Sequence, residues 1–192
     1  MRGHTHALVG VTTVVAINIA TPFIQPHVIE GIPSGLVLCF SAAILGALAP
    51  DIDAEDSTIE NSLGTAGSVA SVGLRLFGVQ HRGLTHYGIV AVLVTVVAWL
   101  FAAKIGYGDV GLAFGLGYLS HVIIADAMTK HGVPLLWPLP GQFHLLPGPF
   151  RIKTGSLVET LIFIGVTVLL VNLLPVAVPA EWLRLLPRGL RF

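Results

Sequence analysis

Five nearly unbroken apolar runs divide this chain, at about residues 6–24, 32–49, 87–104, 110–129 and 156–174. Each is near the roughly 20 residues that a helix needs to cross the hydrocarbon core of a bilayer. The composition points the same way. The chain is 54% hydrophobic and only 10% charged, with a mean hydropathy of +0.86, whereas soluble domains carry about 25% charged residues. The expected fold class is therefore all-α: a polytopic membrane helical bundle of about five transmembrane helices, forming a single membrane-embedded domain over residues 1–192.

The segments between the runs refine this expectation. Arg2, His4 and His6 open the first run, which Pro22 interrupts; a basic start and an apolar middle outline a secretory signal peptide. Ile19-Ala20-Thr21-Pro22 lacks a small-x-small cleavage site, so a retained helix is expected. The second run stops at Pro50, which begins Pro50-Asp51-Ile52-Asp53-Ala54-Glu55-Asp56, where proline and carboxylates end the helix. Residues 57–80 are rich in Gly, Ser and Ala, with Val69, Val72, Leu76 and Phe77 three or four apart, the pattern of an interfacial amphipathic helix. Residues 131–155 form a long connection with prolines at 134, 138, 140, 147 and 149. Loops of this length are usually functional or disordered, and Trp137 places this one at the membrane interface. The tail, 179–192, alternates apolar residues with Arg184, Arg188 and Arg191, as an interfacial segment would.

Ten basic residues balance ten acidic ones, so electrostatics offers no case for nucleic-acid binding. A lone cysteine, Cys39, excludes disulfides and cysteine zinc sites within one chain. Eight histidines are many for so apolar a chain. If five helices cross in succession, the starts of odd helices and the ends of even ones share a membrane face. The polar residues follow that rule: His4 and His6, then Asp51 and Asp53, then His81 and His86, then His121 and Asp126, then Glu159. His27, Glu30, Lys104 and Asp109 are spread thinly over the opposite face, and neither His27 nor His131 is expected to have a role. Placing the crowded face in the cytoplasm puts Arg2, Arg75, Arg82, Lys130, Arg151 and Lys153 inside, a modest positive-inside bias.

A mixed set of imidazoles and carboxylates without thiolates suits zinc, manganese, magnesium or iron, and imidazole disfavours the purely hard-oxygen metals. The expected cofactor is a divalent metal, zinc or manganese, as one or two ions. Its candidate ligands are His6, Asp51, Asp53, His81, His86, His121, Asp126 and Glu159. Each has a plainer role open to it. A histidine at a helix start can be a solvated cap, Asp51 and Asp53 can simply stop a helix, and His81 and His86 can bind lipid headgroups. His121 and Asp126 are hardest to dismiss, because ionisable groups inside apolar helices are costly. Arg82 and Arg151 are candidate anion clamps, since guanidinium matches phosphate bidentately.

Thr5-His6, Pro50-Asp51-Ile52-Asp53, His81-Arg82-Gly83-Leu84-Thr85-His86, Gly117-Tyr118-Leu119-Ser120-His121 through Asp126, and Gly132-Val133-Pro134-Leu135-Leu136-Trp137-Pro138 together resemble the YdjM-like family. That resemblance runs from about residue 5 to Glu159. It implies an inner-membrane, metal-dependent hydrolase, of a kind under LexA control in some bacteria. In one place the chain departs from the pattern: the family aspartate follows its histidine by four positions, but Asp126 follows His121 by five. On an α-helix five positions rotate by roughly 140°. A π-bulge near residues 123–125 would restore a shared face; otherwise Asp126 drops out.

The expected activity is hydrolysis of a phosphoester in a lipid or lipid-linked substrate at the cytoplasmic face of the cell membrane. The metal would polarise the phosphoryl oxygen and acidify a water, Asp53 or Glu159 would take the proton, and Arg82 and Arg151 would orient the anion. The expected partners are membrane lipid and that substrate. Two competitors use the same residues: a non-catalytic metal-binding membrane protein or transporter, and a soluble all-α phosphoesterase whose buried helices imitate spans.

Overall fold

The apolar runs fold as five helices in the computed structural model, which describes residues 1–29, 32–53 and 83–178. They are α1 (Gly3–Ala20), α2 (Gly35–Leu48), α3 (Gly88–Ala103), α4 (Gly108–Leu119) and α5 (Leu157–Ala177). The expected amphipathic helix at 57–80, His81, Arg82 and the tail at 179–192 lie outside the described residues, as does the side chain of Asp53.

Helix α1 stops before Pro22, and Asn18 takes over at its end. The Asn18 side-chain oxygen accepts the N–H groups of both Phe23 and Ile24, at 3.0 Å each. A two-stranded antiparallel hairpin follows, β1 (Val28–Ile29) on β2 (Ile32–Pro33), with Ile29 opposite Ile32. Helix α2 runs on into a 3₁₀ turn, Ala49–Asp53, and a second 3₁₀ turn, Leu84–His86, leads into α3. Helix α4 passes directly into a π-helix, Ser120–Asp126. Counting these extensions, four helices among the described residues are long and apolar enough to cross a membrane: Gly3–Ala20, Gly35–Ile52, Gly108–Asp126 and Leu157–Ala177. The fifth, α3, is apolar but has only 16 residues.

Helix α4 is the centre of the bundle, packed between α2 and α3, with α1 bridging α2, α4 and α5. Small residues allow this. A Cβ added at Gly117 would strike the Ala43 carbonyl of α2, and one at Gly46 would strike the Phe114 carbonyl of α4. On the other side of α4, Gly111 lies equally close to Ala98 of α3. Helices in lipid gain nothing by hiding apolar side chains from one another, so close backbone approach is what holds them together. The core is accordingly made of small and β-branched side chains, among them Val14, Val15, Ala43 and Ala113.

Burial is reversed relative to a soluble domain. Val92, Val97 and Phe101 of α3 and Leu161, Val168 and Val171 of α5 are exposed, while Thr5, His6, His86, His121, Asp126 and Glu159 are buried. Exposed apolar flanks around a polar interior are what a hydrocarbon solvent demands.

The long connection after Asp126 is ordered. Val133 pairs with Phe143 and Thr129 with Ile152. The Leu145 N–H donates to the Ala127 carbonyl, and the Gly88 N–H at the head of α3 donates to the Leu135 carbonyl. Trp137 stacks on Tyr87 with ring centroids 4.8 Å apart. The connection thereby ties the start of α3 to the end of α4.

At the other end of the bundle two of the thinly spread polar residues, His27 and Asp109, form a joint, and His27 has a role after all. Its Nε2 lies 2.7 and 2.9 Å from the two carboxylate oxygens of Asp109, and its ring stacks on Tyr107. The Gln25 N–H donates to the same carboxylate at 2.8 Å. To reach it, His27 adopts a left-handed backbone, φ 41°, a region where His is enriched among non-glycine residues.

Candidate metal centre

Each side chain of the centre arrives at a helix end, where the local backbone leaves the α-helical path. Asp51 follows Pro50 in the 3₁₀ turn that continues α2. The turn Leu84–His86 carries His86 inward, and Thr85 Oγ1 holds its Nδ1 at 2.9 Å. With Nδ1 engaged, Nε2 of His86 points at the other ligand candidates.

His121 is set by the backbone. Its Nδ1–H donates to the Ala47 carbonyl at 2.6 Å, and a carbonyl can only accept, so in the neutral ring the lone pair is on Nε2, which faces His86 Nε2 at 3.3 Å. A histidine that ligates a metal is typically oriented in this way, through its second nitrogen. Asp126 comes to the same place because the segment from Ser120 is π-helical: i→i+5 closure brings residues five apart onto one face. Both side chains are almost fully buried, His121 at 0% and Asp126 at 1% exposure. The shared face that the five-residue spacing required is present.

Four atoms from three separate parts of the chain now face one another. His86 Nε2 lies 3.3 Å from His121 Nε2, 3.5 Å from Asp126 Oδ2 and 3.8 Å from Asp51 Oδ1. His121 Nε2 lies 3.6 Å from Asp51 Oδ1 and 3.9 Å from Asp126 Oδ2. Ligands about 2.0–2.1 Å from a tetrahedral zinc ion stand about 3.3–3.4 Å apart, and these five separations lie between that value and about half an ångström above it. The charge of the set also fits: two carboxylates and two neutral imidazoles would be neutralised by one dication.

His6 lies beside this set. Its ring stacks on His121 with centroids 3.9 Å apart, its Nε2 is 3.1 Å from the Met1 carbonyl and 3.5 Å from Asp126 Oδ1, and its Nδ1 is buried without a partner. The Met1 amino group also reaches Asp126 Oδ1, at 3.3 Å. Among the described residues two groupings of possible ligands result, His6-His121-Asp126 and Asp51-His86-His121, each with its ligand atoms within 4.8 Å of one another.

Glu159 and Arg151 are placed elsewhere. Ser156 caps α5 by accepting the Glu159 N–H, and the Glu159 carboxylate then accepts from the Arg2 N–H, the Thr5 hydroxyl and the Gly155 N–H. This binds the start of α5 to the start of α1, and Glu159 enters neither grouping. Arg151 donates through Nε to the Leu146 carbonyl within the long connection. Sequence reading missed two orienting groups, Thr85 and the Ala47 carbonyl. Thr85 could have been found, since it adjoins His86 in the motif. A backbone carbonyl leaves no trace in residue identity.

Helices with lipid-type outer faces, gathering histidine and aspartate at one end of the bundle, define a multi-pass membrane protein with a candidate metal-binding centre. The chain belongs to the YdjM family: the family model described as YdjM inner membrane protein matches residues 1–185. Inner membrane protein YdjM of Escherichia coli strain K12 is 38% identical over 107 residues, covering 54% of this chain and 51% of that protein. The Shigella flexneri protein of the same name matches equally. YvsG of Bacillus subtilis strain 168 is 33% identical over 133 residues, 68% of this chain and 74% of YvsG. The chain spans about half the length of the Escherichia coli and Shigella flexneri relatives. No solved structure matches it.

Proposed function

We propose that this chain is a membrane-bound, metal-dependent hydrolase acting on a phosphoester of a lipid or lipid-linked molecule at the cytoplasmic interface. The observation that carries the reading is the convergence of Asp51 and Asp126 on the Nε2 atoms of His86 and His121, which themselves lie 3.3 Å apart, at 3.5–3.9 Å. Since a single imidazole nitrogen takes one ion, sharing of His121 between the two groupings favours one ion over two among the described residues. Two imidazoles beside two carboxylates suit zinc or manganese.

An ion held there supplies Lewis acidity, polarising a phosphoryl oxygen and lowering the pKa of a bound water. The chain supplies the rest. The Ala47 carbonyl and Thr85 fix the two imidazoles, burial keeps competing water away, and His6 offers an unpartnered nitrogen at the edge of the set. Asp53, His81 and Arg82 adjoin Asp51 and His86 in sequence, and remain candidates for proton acceptor, further ligand and anion clamp. The position of the cluster at helix ends supports an enzyme over a transporter, whose sites lie near the bilayer midplane. Arg2, Lys130, Arg151 and Lys153 near the cluster end support the cytoplasmic orientation.

The test is metal analysis of detergent-purified protein, with lipid phosphoester turnover assayed on the same samples. The wild type should carry one ion per chain, and His121→Ala and Asp51→Ala should lose ion and turnover together. Purified wild type that holds no stoichiometric metal after supplementation refutes the proposal. Metal uptake by proteoliposomes without turnover would reassign the chain as a transporter.

A further inference from the structure

Beside the metal centre, an apolar cavity of about 220 Å³ lies between α1, the π segment and α5. Thr12, Thr13 and Ala16 line it from α1, Ile124 and Ala125 from the π segment, and Val166 and Leu169 from α5. We infer that this groove holds one acyl chain of a membrane phospholipid whose polar end lies at the His/Asp cluster. The inference rests on the hydrolase reading for what happens at that polar end, and it names the substrate class as acyl lipid.

Three observations carry it. First, the groove adjoins the centre. Ala125 directly precedes Asp126, and Met1, which also lines the cavity, places its amino group 3.3 Å from the Asp126 carboxylate. Second, the lining is made apolar in spite of two threonines. The Thr12 and Thr13 hydroxyls turn back to the Leu8 and Val9 carbonyls, at 2.8 Å each. That leaves their methyl groups for the cavity. Third, α1 and α5 are both long and apolar enough to span a membrane, so the medium at the groove mouth is lipid hydrocarbon, with water excluded.

Length limits what fits. From Val9 to Ala16, or from Ile162 to Leu169, the walls rise about 10 Å at 1.5 Å per residue. That is about a third of the hydrocarbon thickness. The groove therefore receives the part of a chain nearest the headgroup, and the remainder runs on into the bilayer.

The test uses phosphatidylglycerol with a photoactivatable diazirine in the carboxyl-proximal third of one acyl chain, incorporated into proteoliposomes of unlabelled phosphatidylethanolamine. Adducts mapped by mass spectrometry should fall several-fold more often on Thr13, Ala16, Val166 and Leu169 than on Val92 and Val96, which face outward from α3. Ala16→Trp fills the groove from α1 and Leu169→Trp fills it from α5. Each should suppress groove adducts several-fold while α3 adducts and bound metal stay unchanged; unchanged metal shows that the variant is folded. Equal labelling of groove and α3, or groove adducts indifferent to both substitutions, overturns the inference. So does groove labelling by a diazirine-bearing polyprenyl phosphate where the phospholipid gives none. If the wild type binds no metal yet groove adducts persist and respond to both substitutions, the hydrolase reading fails and the acyl-chain site stands.

Discussion

Glu159 shows how residue type and residue role separate in this chain. A carboxylate one turn into an apolar helix reads as a ligand or a base, yet its oxygens are taken up by the Arg2 and Gly155 N–H groups and the Thr5 hydroxyl. Glu159→Ala would leave those donors unpaired in a buried place, which costs on the order of 1–3 kcal/mol. We expect thermal unfolding in detergent to show that loss while bound metal stays at the wild-type level. Metal loss matching that of His121→Ala would return Glu159 to the ligand set. His27 makes the opposite point. An apparently idle histidine holds the Asp109 carboxylate at 2.7 Å, because its partner lies 82 positions away and is invisible to local inspection.

At the level of elements, the centre depends on how closely α2 and α4 approach. The Ala47 carbonyl that orients His121 is on α2, and it reaches His121 Nδ1 at 2.6 Å only because Gly117 and Gly46 keep the two backbones in contact. Gly117→Val should force the helices apart, with an overpacking cost of about 1–3 kcal/mol. Bound metal should fall although no ligand is touched. Gly165→Val on α5, where an added Cβ meets open space, should leave bound metal unchanged. Metal analysis of the two variants side by side checks the argument, and equal retention would refute it. The π segment is the other element-level device. The five-residue interval between His121 and Asp126 demanded a break from α geometry, and Ser120–Asp126 provides it.

For the whole molecule, the described side chains are distributed as in a protein dissolved in hydrocarbon: large apolar residues such as Phe101, Leu161 and Val168 face outward, while His86, His121 and Asp126 lie inward among small and β-branched residues. The one cysteine, Cys39, is buried, so single cysteines introduced elsewhere can report topology. Gln142, in the connection at the cluster end, and Lys104, at the turn between α3 and α4, are both exposed. With the cluster in the cytoplasm, an impermeant maleimide on intact spheroplasts should label Lys104→Cys directly, and Gln142→Cys only after permeabilisation. The reverse pattern would overturn the orientation.

The all-α class, the succession of apolar helices and the gathering of polar residues at one end were legible in the sequence, because hydropathy and alternation of direction are properties of the chain order itself; of the five spans expected, four described helices have the length and α3, at 16 residues, falls short of it. His6, Asp51, His86, His121 and Asp126 could be named from that alternation. The departure of Glu159 from the site and the His27–Asp109 joint could not. The same holds for the tautomer of His121, the groove beside the centre and the 3.3–3.9 Å spacing of the ligand atoms. Those depend on helix rotation and interhelical distance, which are set by steric contact between residues far apart in sequence.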